Sequence, residues 1–190
     1  MSNILPQPQK YNAGPWQALE EELTVYARDL GKDIYIIAGG YDSQTLTSPD
    51  PLVTAGITIP SHLWKVALVL EKPGLDITTV SDSPGGEIAD VFAVIMGNGL
   101  LPGPNLNTLV FPSTPTNITI PGATSAAGTT FPAKTLSFTA GDEPTFRQNW
   151  QLWRVPVDHI EALTGLDLLS SLPDDVENRI EANTQFTPFP

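Results

Sequence analysis

Apolar side chains recur every three or four positions between residues 15 and 30, which is the spacing of one buried helix face. The apolar positions are Trp16, Leu19, Leu23, Tyr26, Ala27 and Leu30. Pro15 suits a first helical turn, where its missing N–H costs nothing, and Gly31 suits a helix end. The pattern therefore predicts a helix over residues 15–30.

Short apolar runs predict strands in much of the remaining chain. Residues 33–38 form a run without alternation, which predicts a strand buried on both faces and ended by Gly39-Gly40. Further strands are predicted over 57–60, 63–70, 91–96 and 150–155, and short helices over 157–163 and 174–180. We expect an α+β fold, a mostly antiparallel sheet with the helix over 15–30 packed on it.

Residues 99–146 differ in composition from the rest of the chain. They are rich in Pro, Thr, Ser, Gly and Asn and nearly free of charge. We interpret them as a surface insertion that carries at most a small β-ribbon, within a single domain over residues 1–190.

Composition narrows the classes of function. The formal net charge is −12, which argues against a strong nucleic-acid binder and suits cation binding where carboxylates cluster. The absence of cysteine excludes disulfides, zinc–thiolate sites and thiol nucleophiles. No apolar run approaches the ~18 residues of a membrane span, and the N-terminus lacks the features of a signal peptide. We therefore expect no membrane partner and leave the compartment open.

Asn12 and Glu20 are the first candidates for chemistry. On a regular helix their separation is roughly 12 Å along the axis and about 80° around it, so both can border one cleft. A hydrated Mg²⁺ fits such spacing, because it keeps most of its waters and a distant carboxylate can hold one of them. Asn3 lies on the incoming loop. The alternatives are a simple helix cap for Asn12 and a solvated acidic face for Glu20.

The order of short motifs adds a family resemblance. The pattern Ser2-Asn3-Ile4-x-Pro6-Gln7, then Asn12-x-Gly14-x-Trp16-x-x-Leu19-Glu20, resembles the metal-binding segment of the sugar-non-specific DNA/RNA endonucleases. These are the ββα-metal, or His-Me finger, nucleases. Similar motifs follow in order over residues 34–40, 59–66, 95–98 and 155–173.

The resemblance implies a ββα-metal nuclease fold and hydrolysis of phosphodiester bonds in DNA and RNA. It implies Asn12 as the direct ligand of Mg²⁺, with Mn²⁺ as a substitute, and Glu20 as the catalytic carboxylate that holds a metal-bound water. The resemblance also implies that Asn3 is a polar residue of the catalytic site, next to the metal-binding residues. Arg28 becomes a candidate for binding the substrate phosphate, because Thr24 occupies the position one turn after Glu20 where family members often have arginine.

The family's general base, a histidine in an Asp-Arg-Gly-His motif, has no counterpart in this sequence. We therefore expect an N-terminally truncated nuclease domain that needs a missing N-terminal segment or a partner chain. His62 and His159 are interpreted as structural hydrogen-bonding residues. If upstream strands are missing, part of the sheet or helix is expected to expose apolar surface.

Two alternatives to a Mg²⁺-dependent endonuclease stay open. One is a catalytically inactive remnant or a complementing, binding subunit of the same fold, which the acidic charge and Thr24 favour. The other is an unrelated β-rich adhesion module, which the Pro/Thr-rich segment favours but which leaves the N-terminal motif unexplained.

Overall fold

The computed structural model describes residues 5, 7, 11–42, 59–81, 86–98 and 115–182. Its helices are α1 Gln17–Thr24, α2 Glu143–Gln148, α3 Val157–Thr164 and α4 Asp174–Glu181. Its strands are β1 Asp33–Tyr41, β2 His62–Leu70, β3 Ile88–Gly97, β4 Thr116–Ile120, β5 Ala123–Thr124, β6 Thr130–Phe131, β7 Lys134–Phe138 and β8 Arg154–Val155. The main sheet is antiparallel in the order β1-β2-β3-β8, so the α+β expectation is confirmed.

The predicted N-terminal helix is present, although it is not regular. π-helical turns at Asn12–Trp16 and Val25–Asp29 flank α1. Ala13 and Gly14 leave helical geometry, so the ideal spacing assumed between Asn12 and Glu20 does not hold over the first turn. The predicted apolar face is buried at Leu19, Leu23 and Tyr26, whereas Trp16 is partly buried and Ala27 and Leu30 are exposed.

Strand β1 is not buried on both faces, which corrects the expectation for residues 33–38. Tyr35 is 41 % and Ile36 50 % exposed, and within the described residues β1 is the edge strand of the sheet, paired with β2. The strand also continues through Gly39-Gly40 to Tyr41. The buried apolar strand is β2, at the centre of the sheet, where every residue from Leu63 to Leu70 is buried.

The strand predicted over residues 150–155 is mostly a 3₁₀ helix at Trp150–Trp153, and only Arg154–Val155 is extended. In a strand, Trp150 and Trp153 would point to opposite faces. A 3₁₀ helix repeats every three residues, so both indoles enter the same core. Burial of two large rings outweighs the local strand propensity.

The described part of the Pro/Thr-rich segment packs into the domain. Strands β4 and β7 form one ribbon and β5 and β6 another, and α2 is a short helix that the sequence pattern did not predict. Ile118, Ile120, Phe138 and Phe146 join the core, so this part is not confined to the surface. Its status as an insertion stays a prediction.

The two C-terminal helices are confirmed as α3 and α4. Gly165 ends α3 with a φ of +71°, as a left-handed helix C-cap requires. The predicted strand over 57–60 lies largely outside the described residues; its described end, Ile59 and Pro60, is not in a strand. Across the described ranges, no helix has the length and apolar character to cross a bilayer.

Gly39 tests the close contact between β1 and β2. A Cβ at this position would lie 2.6 Å from the Trp64 ring, whereas a Cβ at Gly141 would meet nothing within 4 Å. We expect Gly39→Ala to lower the free energy of unfolding by about 1–3 kcal/mol, since the ring or the strand must shift. Chemical denaturation measures the effect, and Gly141→Ala is the control. Equal stability of the two variants would contradict this packing.

Candidate functional site

Asn12 is exposed and is the first residue of the first helical segment, whose N-cap residue is Tyr11. The Oδ1 atom of Asn12 accepts a hydrogen bond of 2.6 Å from Nε2 of Gln7. The simple cap interpretation and the metal-ligand interpretation both stay predictions. A carbonyl oxygen has two acceptor positions, and Gln7 takes one of them.

Glu20 is linked to the sheet through a buried lysine. Its Oε1 atom lies 3.0 Å from Nζ of Lys65, which also sits 4.2 Å from the centre of the Trp16 ring. The Lys65 side chain is 6 % exposed and that of Glu20 53 %. Burial lowers the pKa of Lys65, and the bond to Glu20 opposes that shift. The ion pair thus stands at the boundary between core and solvent.

A cleft of about 1060 Å³ opens beside this pair, between the first helical segment and the face of β1 and β2. Its lining includes Leu5, Gln7, Trp16, Glu20, Thr24, Arg28, Lys32, Ile34, Ile36 and Lys65. The three basic side chains of this lining are each paired with a carboxylate: Lys65 with Glu20, Lys32 with Glu71 and Arg28 with Asp29. The cleft is therefore amphipathic, and each of its basic side chains has a carboxylate partner.

Arg28 lies at the cleft, but its guanidinium is engaged locally. Nε and Nη2 donate to the two carboxylate oxygens of Asp29, at 2.8 and 3.1 Å. Thr24 donates from Oγ1 to the carbonyl of Glu20 in its own helix. Asn3 lies outside the described residues, so its predicted role stays a prediction.

Both histidines make hydrogen bonds to backbone carbonyls. His62 Nε2 lies 3.0 Å from the Thr119 carbonyl oxygen, and its Nδ1 lies 2.8 Å from the Ser61 hydroxyl. His159 Nε2 lies 2.8 Å from the Pro121 carbonyl oxygen. Burial lowers the pKa of both rings. Neither histidine lines the cleft, in keeping with their interpretation as structural residues.

The donor set tests whether a divalent ion fits this site. Asn12 and Glu20 are both exposed and offer an amide oxygen and a carboxylate, the hard oxygen ligands that Mg²⁺ prefers. Mg²⁺ commonly binds through one or two protein groups and keeps several waters. The chemistry of these two groups therefore suits a hydrated ion; Glu20 lines the cleft, whereas Asn12 is not among its lining residues.

Sequence reasoning missed two residues that position these groups. Lys65 was assigned only to a strand, although a lysine inside the apolar run of residues 63–70 is a signal for a buried ion pair. Gln7 was quoted in the motif without a role, and its contact with Asn12 depends on how the loop folds.

Several known nucleases are similar to this chain. Residues 1–85 match the DNA/RNA non-specific endonuclease family. The chain is 26 % identical over 185 residues to a nuclease of Nostoc sp. (strain PCC 7120), covering 96 % of this chain and 46 % of that protein. It is 34 % identical over 82 residues to the mitochondrial nuclease EXOG of Xenopus laevis, covering 38 % of this chain and 22 % of that protein.

A third relative, the mitochondrial nuclease EXOG of Danio rerio, is 30 % identical over 90 residues, which are 42 % of this chain and 25 % of that protein. The resemblance to this endonuclease family that the motifs indicate is thus confirmed over residues 1–85. The chain spans less than half the length of these curated relatives.

Lys65→Met tests the balance of the buried ion pair. Methionine keeps the apolar packing over Trp16 and removes the buried charge, so we expect a stability change within about 1 kcal/mol. Glu20→Gln leaves the Lys65 ammonium without its carboxylate partner. We expect this substitution to lower the free energy of unfolding by about 1–2 kcal/mol. Chemical denaturation of both variants and of the double variant measures the coupling. If the stability changes of the two single variants add up to that of the double variant, a direct interaction between Lys65 and Glu20 is contradicted.

His62 gives a pH-dependent test of the contact between β2 and β4. Because burial holds its native pKa below the ordinary value, the folded protein favours the neutral ring. Its stabilising contribution is complete above the unfolded-state pKa of about 6.5 and is lost as pH falls through the lower native pKa. Between about pH 8 and pH 5 we expect wild type to lose more free energy of unfolding than His62→Gln. Parallel pH profiles would contradict the assignment.

Proposed function

We propose that this chain supplies the metal-binding part of a Mg²⁺-dependent endonuclease that hydrolyses phosphodiester bonds in DNA and RNA. The observation that supports the proposal is the placement of Glu20, held by Lys65, at an open cleft within the segment matched to the nuclease family. The names of the relatives favour the same class of reaction.

Each residue has a separate task in this proposal. Asn12 binds the ion through Oδ1, and the amide of Gln7 orients it. Lys65 fixes Oε1 of Glu20, which leaves the other carboxylate oxygen to accept a hydrogen bond from a water of the ion. The bound ion supplies positive charge to the phosphate and to the leaving 3′ oxygen. Mn²⁺ is expected to substitute.

The phosphate is expected to enter beside Arg28, whose side chain is 72 % exposed. Exchange of Asp29 for a phosphate would convert its bidentate pairing into a substrate contact. Asn3 is proposed as a further polar neighbour. Because the formal net charge is −12, this local contact must offset general repulsion of nucleic acid.

The proton acceptor is proposed to come from polypeptide outside these 190 residues. Hydrolysis requires a base that takes a proton from water. His62 and His159 are both bound to backbone carbonyls and lie away from the cleft, so neither suits this role. A preceding segment or a partner chain would supply the base.

A second candidate function is a catalytically inactive remnant or complementing subunit of the same fold. The exposed apolar residues Tyr35 and Ile36 on edge strand β1 favour it, because such an edge is suited to pairing with another strand. In that case the chain binds its partner without hydrolysing nucleic acid.

Metal titration tests the site directly. We expect isothermal titration to detect Mg²⁺ or Mn²⁺ binding by wild type and a loss of about tenfold or more in affinity in Asn12→Ala and Glu20→Gln. Glu21→Gln is the matched control, since Glu21 is exposed and bonded to Gln17 of its own helix. Binding unchanged in Asn12→Ala, or absent in folded wild type, would reject the metal site.

Plasmid nicking separates the two functions. With Mg²⁺ the isolated chain is expected to show little or no nicking, because the base is absent from its cleft. Addition of a separately expressed upstream segment carrying a histidine should restore nicking in wild type and not in Asn12→Ala. Stable association without nicking would favour the complementing subunit. Nicking by the isolated chain that Asn12→Ala abolishes would show that the base lies within these 190 residues.

A further inference from the structure

The residues on either side of Asn12 are both in contact with one short helix, α2. Tyr11, the residue before it, is 1 % exposed, and its ring meets that of Phe146 edge to face, with ring centres 5.0 Å apart. Ala13, the residue after it, accepts a hydrogen bond of 3.1 Å at its carbonyl oxygen from Nη2 of Arg147. Phe146 and Arg147 are consecutive residues of α2. The backbone at Asn12 is thus held by two neighbouring side chains from a distant part of the chain.

The turn that carries Asn12 is irregular and is packed closely against α2. Ala13 (φ −91°, ψ 21°) and Gly14 (φ −128°, ψ −121°) both leave helical geometry. Gly14 is buried, and a Cβ placed on it would lie 3.6 Å from Cα and Cγ of Arg147. Since helical geometry is interrupted at this turn, contacts from outside the turn fix its shape.

The guanidinium of Arg147 is directed at this turn and not at a carboxylate. Glu21 and Glu143 line the same small cleft beside α2, of about 750 Å³, yet Arg147 forms no ion pair within the described ranges of the chain. Arg28, by contrast, is paired with Asp29. A charged donor makes a stronger hydrogen bond to a carbonyl oxygen than a neutral donor does. The contact is therefore suited to holding the backbone beside Asn12.

We propose that Arg147 is a positioning residue for the metal site, which sets the direction in which Asn12 presents its side-chain oxygen. The inference rests on the proposed function, in which Asn12 binds Mg²⁺. Arg147 holds the backbone through Ala13, and Gln7 separately holds Oδ1 of Asn12 at 2.6 Å. A ligand atom must be placed to within about 0.5 Å, so support of this kind affects affinity without any contact with the ion.

Mg²⁺ titration of Arg147→Ala by calorimetry tests the inference, with thermal unfolding to verify that the variant is folded. We expect binding about tenfold weaker than in wild type. Loss of a positive charge alone would favour a cation, so the charge effect has the opposite sign. Arg179→Ala makes the same change of charge on α4, where Arg179 faces Asp175, and is the control that does not weaken binding. Arg147→Lys keeps the charge and a donor, and we expect it to bind Mg²⁺ within about threefold of wild type.

Two further measurements show whether Arg147 acts through Asn12. In the Asn12→Ala background, Arg147→Ala should cause no further loss of Mg²⁺ affinity, whereas a general structural effect would weaken binding in both backgrounds. Amide hydrogen exchange gives a readout without metal. The amides of Asn12 and Ala13 should exchange several-fold faster in Arg147→Ala and at the wild-type rate in Arg179→Ala.

The outcomes separate this inference from the proposed function. Wild-type Mg²⁺ affinity in Arg147→Ala, together with weakened binding in Asn12→Ala, overturns the inference and leaves the metal site standing. If folded wild type binds no Mg²⁺, the proposed metal site fails, and hydrogen exchange alone decides whether Arg147 holds the turn at Asn12. Unchanged exchange in Arg147→Ala overturns the inference in either case.

Discussion

Burial of strand β2 is the constraint on which the rest of the structure depends. It lies between β1 and β3, and its residues from Leu63 to Leu70 are all shielded from solvent. The exception to its apolar character is Lys65, whose ammonium must keep a partner to remain charged inside the protein. Glu20 and the ring of Trp16 provide that partner, so the helix is held to the sheet at one defined point.

The same arrangement explains why the cleft lies where it does. The first helical segment is linked to β2 through Glu20 and Lys65, and β1 is the edge strand among the described residues. Apolar residues of β1 therefore face the cleft together with charged residues of the helix. Such a surface suits the proposed cation and phosphate sites, and its strand edge suits contact with another polypeptide.

Two carboxylate environments in this protein differ in the way their charge is compensated. Glu20 is half-exposed and has a lysine beside it, so it keeps a stable orientation and access to solvent. Glu181 is buried among other acids, and burial raises its pKa to about 8. The first environment suits a hydrated ion that must reach a substrate, whereas in the second environment the carboxyl group keeps its proton up to a higher pH.

The sequence by itself determined the class of fold, the central strands β2 and β3, the helices near both ends of the chain and the resemblance to the nuclease family. These features rest on local periodicity, helix-end residues and ordered motifs, which are properties of neighbouring positions. Asn12 and Glu20 were likewise visible as candidates. The exposure of β1 was not visible in the sequence, because an apolar run does not indicate whether a strand has one neighbouring strand or two.

Only the tertiary structure decided which groups meet. Lys65 reaches Glu20 across 45 positions and Glu161 reaches Glu181 across 20, distances over which no local pattern acts. The turn at Trp150–Trp153 became helical because both indoles fit one core, against their strand propensity. Packing and the compensation of buried charge act between distant segments, so these contacts appear only once the chain is folded.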